Sequence, residues 1–226
     1  MYEYSTIKAC TGVIVRTEEG KILHGRNLDF SMWELLANMT ANIQYYRGDQ
    51  LIYTVDTLVG SVFTLTANKP GSFSVEVNTR TESRFEDDFI NLLMKNAIPT
   101  CWLLKKVVDE ESSFQGAVKR LKEERIGGPV YFVVSGIKGN EGIIIERDNE
   151  KVHAAYELTD ENWFLVQTNY DRDQPDPKSD YRRIPAENKL KERGNKNFKA
   201  QDLFDTVMSK YPTFNLETIL TVVMSS

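Results

Sequence analysis

Apolar and polar positions alternate through the first third of the chain, the period of half-buried strands. Val13 and Val15 alternate within 11–16, "EEGK" turns the chain, and "KILHGRN" returns as a second strand. "NIQYYR" and "QLIYTV" flank "GD", a hairpin signal. "SVFTLTA" and "SFSVEVN" flank "NKPG", where Pro70 sets its own φ and Gly71 is free to take a positive one. The period then changes. "FEDDFINLLMKN" puts Phe85, Phe89, Leu92 and Leu93 on one helical face. "TCWLLKKVVDE" follows Pro99, which suits an early helix position, and "SSFQGAVKRLKEE" opens with Ser112 and Gln115 at capping-box spacing. Gly127-Gly128-Pro129 ends that helix, and strands return as "VYFVVSG", "GIIIERD", "KVHAAYEL" and "WFLVQTN". A proline-rich loop leads to helices around 183–193 and 200–210, and "ETILTVVM" is strand-like. Strands, helices, strands and helices in that order predict one α+β domain with antiparallel sheets. Two sheets between helix layers fit this order, although periodicity alone does not establish them. A last strand ending at Ser226 leaves an apolar edge unless it pairs inward or the natural chain continues, and continuation is the expectation.

Composition narrows the class. The 226 residues are 41% hydrophobic and 27% charged, enough apolar content to bury a core. A net charge of −5 argues against a general nucleic-acid binder. One segment is locally basic, with Arg182, Arg183, Lys189, Lys191, Arg193, Lys196 and Lys199 against Glu187 and Glu192. It reads first as a solvated helix face, and contact with an anionic membrane surface is the sharper alternative. Two cysteines do not make a disulfide framework. "VYFVV" is far too short to span a bilayer, and "MYEYSTIKA" lacks the regions of a signal peptide. Asn38-Met39-Thr40 is a single glycosylation sequon.

The chemistry is narrowed by what is missing. Cys10, Cys101, His24 and His153 are not at metal-ligand spacing, so no metal and no cofactor is expected. There is no P-loop and no G-x-S-x-G elbow, and "GIKGNEG" reads as a strand-to-strand turn. His153 alternates with Val152 and Ala154, and His24 reads as a satisfied core histidine, so a cysteine–histidine pair has no clear base. A nucleophile that needs no histidine remains. Cutting the chain before Cys10 would free an α-amine of pKa about 7.7–8.0 beside a thiol of about 8.5, so proton exchange between them is nearly balanced. Cys10 itself could make that cut by attacking the Ala9 carbonyl. The plain alternative is that Cys10 is a small buried hydrophobe.

The motifs around Cys10 carry a resemblance. "CTGVIVRTEEGKILHGRNLDF" (10–30) and "VQTNYDRDQPDPKSDYRR" (166–183), with "NAIPTCWL", "PVYFVVSG" and "EGIIIERD" in order between them, resemble the N-acylethanolamine-hydrolysing acid amidase and acid ceramidase family. These are N-terminal-nucleophile amide hydrolases of the choloylglycine hydrolase superfamily, and the resemblance covers the chain from about Tyr2 to its end. It implies an αββα sandwich with residues 1–9 as the tail of a propeptide and 10–226 as the hydrolase domain, shortened at its C-terminal end. It implies hydrolysis of fatty-acid amides, with N-acylethanolamines favoured over ceramide by "IPTCWL" and "PDPKSDYRR". It also implies lysosomal placement, a lipid surface as the source of substrate, and a separate N-terminal helical subunit. Trp33, Leu35, Leu36 and Leu58 are candidates for lining an acyl pocket, or plain core. A non-catalytic lipid-binding relative is the rival reading.

Roles are implied position by position. Cys10 matches the nucleophile, and Arg26 the arginine that favours its thiolate. Asp29 matches the carboxylate that holds the α-amine, Asn169 the oxyanion-hole asparagine, and Arg182 an arginine that supports them. Arg26 and Asp29 are three apart, so a regular strand sends them to opposite faces and a turn or bulge after Asn27 is expected. Taken singly, Asn169 could cap a turn and Arg182 could be solvated. One departure concerns Thr79, which stands where the family has glutamate in "NER" or "DER".

Overall fold

The structure is a computed structural model that describes residues 9–61, 63–80, 91–93, 95–178 and 180–226. Strands β1 (Ala9–Arg16), β2 (Ile22–Asp29), β10 (Phe164–Gln167) and β11 (Thr218–Met224) form an antiparallel sheet in the order β10-β1-β2-β11. Strands β3 (Thr40–Arg47), β4 (Gln50–Leu58), β5 (Thr66–Lys69), β6 (Phe73–Thr79), β7 (Val130–Ser135), β8 (Gly142–Arg147) and β9 (Val152–Glu157) form a second one in sequential order. The two hairpin turns expected to carry glycine do so in the left-handed region, with Gly48 at φ 60° and Gly71 at φ 72°.

Strand periodicity divides β1 between two environments. Ile14 looks at the second sheet and packs with Val133, Ile144 and Leu165. Val13 and Val15 look outward and pack under α4 (Arg183–Arg193) and α5 (Ala200–Leu203) with Ala186, Leu190 and Leu203. On the far side, α2 (Thr100–Glu110) and α3 (Phe114–Glu123) lay Leu103, Leu104, Val107 and Leu121 on Val75, Val77, Phe132 and Ile145. The four layers are helix, sheet, sheet and helix. Each such side chain, once buried, contributes roughly 1.5–3 kcal/mol.

Several local expectations need correction. "SVFTLTA" becomes a strand only from Thr66; the Leu65 carbonyl instead accepts from Val77 N at 3.0 Å. The cap of α3 is Ser113, whose hydroxyl accepts from Gly116 N at 3.1 Å, while Gln115 bonds Glu141. Phe85 and Phe89 lie outside the described residues. Residues 91–93 are helical, but Leu93 is exposed and Leu92 abuts Gly127. A short helix α1 (Trp33–Leu36) follows β2 where no element was expected. The helix expected at 200–210 is α5 running into a π-helical turn, Phe204–Met208. The strand at the C-terminal end of the chain pairs with β2 along most of its length.

Candidate active site

Register in the β1–β2 hairpin builds the centre. Cys10 lies opposite Leu28 and Gly12 opposite Arg26, so the side chains of Cys10 and Arg26 share the face toward the second sheet. Arg26 Nη2 donates to Cys10 Sγ at 3.4 Å and to the Val77 carbonyl at 3.2 Å. Its Nη1 donates to Asn78 Oδ1 at 2.9 Å.

Asp29 lies opposite Ala9 on the other face. There its carboxylate accepts from Thr218 Oγ1 at 2.7 Å and Asn215 Nδ2 at 3.1 Å, and it lies 3.4 Å from Arg182 Nη1. The turn or bulge expected after Asn27 is absent, because the β1–β2 ladder is regular from Ala9 to Arg16. Convergence is reached differently. Arg26 meets Cys10 at its thiol, and Asp29 meets the Cys10 main chain through Arg182.

The loop after β10 closes the group. Asn169 Oδ1 accepts from the Cys10 N–H at 2.7 Å and from Arg182 Nη2 at 2.8 Å, while its Nδ2 donates to the Thr79 carbonyl at 2.8 Å. Arg182 Nη1 donates to the Cys10 carbonyl at 2.8 Å and to Thr11 Oγ1 at 3.2 Å, and Asp180 flanks the guanidinium. Asn169 therefore does more than cap a turn. Arg182 is not solvated, being only 4% exposed. The structure brings together all five expected site residues, from strands adjacent in sequence and a loop some 150 residues away. The basic-segment reading changes with it. Arg183 also turns inward, onto Asp176, and Arg193 pairs with Asp202, which leaves lysines as the outward charge.

The electrostatics favour a protonated thiol on Cys10. Burial pushes Cys10 up to about 11; Arg26 pulls the other way, and the charges of Asp29 and Glu76 add to the rise. Burial also works against the charge of Arg26, yet Glu76 and Cys10 hold it more firmly protonated than usual. Burial raises the Asp29 carboxyl, against the pull of Thr218, Arg182 and Asn215.

Glu76 was missed by sequence reading, as were Asn215 and Thr218. The signal for Glu76 was its place between Val75 and Val77, which alternation sends to the opposite face. Thr79 enters the group through its main-chain carbonyl, which accepts from Asn169 Nδ2 and which any residue there would supply. His24 is in the core as expected but only half satisfied: Nδ1 lies 2.9 Å from Ser74 Oγ, while Nε2 has no hydrogen-bond partner among the described residues and lies 3.4 Å from Glu76 Oε2. His153 is exposed in β9, and folding brings it near Glu146 and Asp171, with one possible ligand atom of each within 4.8 Å. Sequence spacing could not show that trio. Arg80 already binds both oxygens of Asp171, at 2.7 and 2.6 Å, and supplies the positive charge there. Of the suggested acyl-pocket residues, Trp33 and Leu35 are exposed, and Leu36 and Leu58 pack half-buried on the core.

Residues 10–180 match the linear amide C–N hydrolases of the choloylglycine hydrolase family. The chain belongs to that family. It is 35% identical over 225 residues to the N-acylethanolamine-hydrolyzing acid amidase of Mus musculus, covering 99% of this chain and 62% of that protein. It is 31% identical over 241 residues to the acid ceramidase of Mus musculus, covering 98% of this chain and 60% of that protein. The chain thus spans about three fifths of the length of both relatives. A solved structure of a Caenorhabditis elegans N-acylethanolamine-hydrolyzing acid amidase ortholog superposes with a TM-score of 0.86 at 32% identity, over 96% of this chain and 92% of that one. The αββα layering of this choloylglycine hydrolase family member is therefore that of the N-terminal-nucleophile hydrolases.

Proposed function

We propose that the protein is an N-terminal-nucleophile amide hydrolase that cleaves N-acylethanolamines to fatty acid and ethanolamine. The observation that carries this reading is the convergence on Cys10: Arg26 on its sulfur, Asn169 on its nitrogen and Arg182 on its carbonyl. A cysteine that was only packing would still need its buried main-chain N–H and carbonyl paired, but not a guanidinium on its sulfur.

The first step is self-cleavage. Cys10 Sγ attacks the Ala9 carbonyl, the peptide becomes a thioester as the Cys10 nitrogen leaves with a proton, and water releases the preceding segment. Cys10 then carries both nucleophile and base. Its α-amine takes the thiol proton, the thiolate attacks the substrate amide, and the ammonium returns the proton to the departing ethanolamine. Asp29, which lies opposite Ala9 before the cut, orients the ammonium once Ala9 has left. Water then hydrolyses the acyl thioester to the fatty acid. Asn169 has two amide N–H donors, of which Thr79 takes one; the other serves the tetrahedral oxygen, an effect worth about 3–4 kcal/mol.

The substrate assignment rests on the names of the relatives, among which the acid amidases show the higher identities. Ceramide hydrolysis is the second reading, supported by the acid ceramidase match. A lipid surface as the source of substrate, a helical partner subunit and lysosomal placement belong to the same proposal and rest on that likeness. Among the described residues no helix is long and apolar enough to cross a membrane.

The test is to incubate the purified protein at mildly acidic pH and read its N-terminus and intact mass, with Cys10→Ala alongside. A chain that begins at Cys10 only when the thiol is present, and that then turns over N-acylethanolamine, supports the proposal. An N-terminus unchanged in both, with tight fatty-acyl binding and no product, would favour the non-catalytic reading.

A further inference from the structure

Beneath the nucleophile, the space between the sheets holds a carboxylate. Glu76 projects from β6 and is fully buried, and neither of its oxygens meets a hydrogen-bond donor at full geometry. What it meets is the Arg26 guanidinium, whose Nη1 lies 3.3 Å from its Oε2, and the His24 ring, whose Nε2 lies 3.4 Å from the same oxygen. The room for it comes from Gly12, two residues after the nucleophile. A Cβ at Gly12 would overlap Glu76 Oε1 and lie 2.9 Å from its Cδ and 3.0 Å from Val133 Cγ2. A carboxylate buried in this way with no cation beside it would strongly oppose folding. Its placement makes sense as half of a pair with Arg26.

Arg26 is shared. One guanidinium nitrogen, Nη2, serves Cys10 Sγ, and the other, Nη1, faces Glu76 and Asn78. We infer that Glu76 is a positioning residue for the Cys10 reaction: a buried counter-ion that fixes the Arg26 guanidinium and divides its charge between carboxylate and thiol. The inference rests on the proposed role of Cys10 and deepens it. Other titratable groups that bear on the pair are His24 beside Glu76, Asp29 and Arg182 across the strand, and Asp56 on β4, all of them buried. His24 is in turn held by Ser74, whose hydroxyl lies 2.6 Å from that of Ser135, so Glu76 sits at the end of a polar chain anchored in the second sheet.

The test follows Cys10 alkylation by iodoacetamide against pH in the uncut chain, read by peptide mass with Cys101 as the internal control. Glu76→Gln keeps the shape and removes the charge, which hands the whole of Arg26 to the thiol. The midpoint is expected to fall by about one pH unit, a roughly tenfold faster reaction at fixed pH below it. Glu76→Asp, which keeps the charge, is expected to stay with the parent. Mere loosening would speed Cys10 and Cys101 alike at every pH and move no midpoint. An unchanged midpoint in Glu76→Gln, or equal shifts in the two variants, overturns the inference. If Glu76→Gln does not fold, Glu76→Gln/Arg26→Gln removes both buried charges. A cooperative melt in the double variant supports the pair as a unit, and a failure to recover overturns it. In the cleaved enzyme, Glu76→Gln should change kcat and leave KM, because Glu76 does not touch substrate. The two claims separate: a shifted midpoint without any amide turnover would defeat only the proposed function, and turnover with an unmoved midpoint only the role of Glu76.

Discussion

Removing Arg182 is the perturbation with the most calculable outcome. Its guanidinium bonds the Cys10 carbonyl, Thr11 Oγ1 and Asn169 Oδ1, and it lies 3.4 Å from Asp29 Oδ2 in a space that leaves Arg182 4% and Asp29 0% exposed. Arg182→Ala breaks a buried ion pair from one side, which costs about 3–5 kcal/mol. Asp180 loses the same guanidinium but lies nearer solvent, while Asn169 keeps the Cys10 N–H and Asp29 keeps Thr218 and Asn215, so the loss should stay near that range. For a chain of this size the cost corresponds to roughly 6–20 °C in Tm. The loss should also depend on pH. Burial raises Asp29 above its ordinary pKa and Arg182 opposes that rise, so without Arg182 it rises further. A carboxyl raised in the folded state contributes stability below its unfolded pKa, near 3.9, which is lost as pH rises through the folded value. Arg182→Ala should therefore be least damaging in acid and most damaging at neutrality. Urea melts of parent and variant at pH 4.5 and pH 7 measure both effects, both numbers being about those limits. A loss below about 1 kcal/mol, or one equal at both pH values, would refute the reasoning.

Other outcomes follow from the same geometry. Gly12→Ala should destabilise by about 1–3 kcal/mol through overpacking against Glu76 and Val133, and it should slow self-cleavage, seen as delayed appearance of the Cys10 N-terminus by mass. Burial also raises Glu146, despite the Arg172 N–H at 2.9 Å, so ionising it opposes folding as pH rises above the ordinary carboxylate range. Glu146→Gln should flatten the decline of Tm between mildly acidic and neutral pH, and an unaltered slope would count against that assignment. Asn27→Ala should cost about 1–3 kcal/mol, because its amide ties Met208 O at 2.9 Å and Thr213 O at 2.8 Å, and the loss should appear as a lower urea midpoint.

Sequence alone determined most of the sheet-forming segments, the order of strands and helices along the chain and the short block around Cys10. The alternation of Val13 and Val15, the turn glycines Gly48 and Gly71 and the proline before α2 act over a few residues, so their consequences are local and legible. The motif blocks also pointed to all five site residues by likeness. Their geometry was another matter. Arg26 and Asp29 could not be seen converging on Cys10 without a bulge, because the link runs through Arg182 from a loop whose position depends on β10 pairing with β1. Glu76 could be sent to one face of β6 by alternation, but nothing local says that Gly12 of the other sheet stands over it. Likewise, His153, Glu146 and Asp171 are separated along the chain and meet only when β8, β9 and the loop after β10 are stacked. Local periodicity decides which residues share a face. Which two faces meet is decided by the packing of one sheet on the other, and there the charges of the site are set against one another.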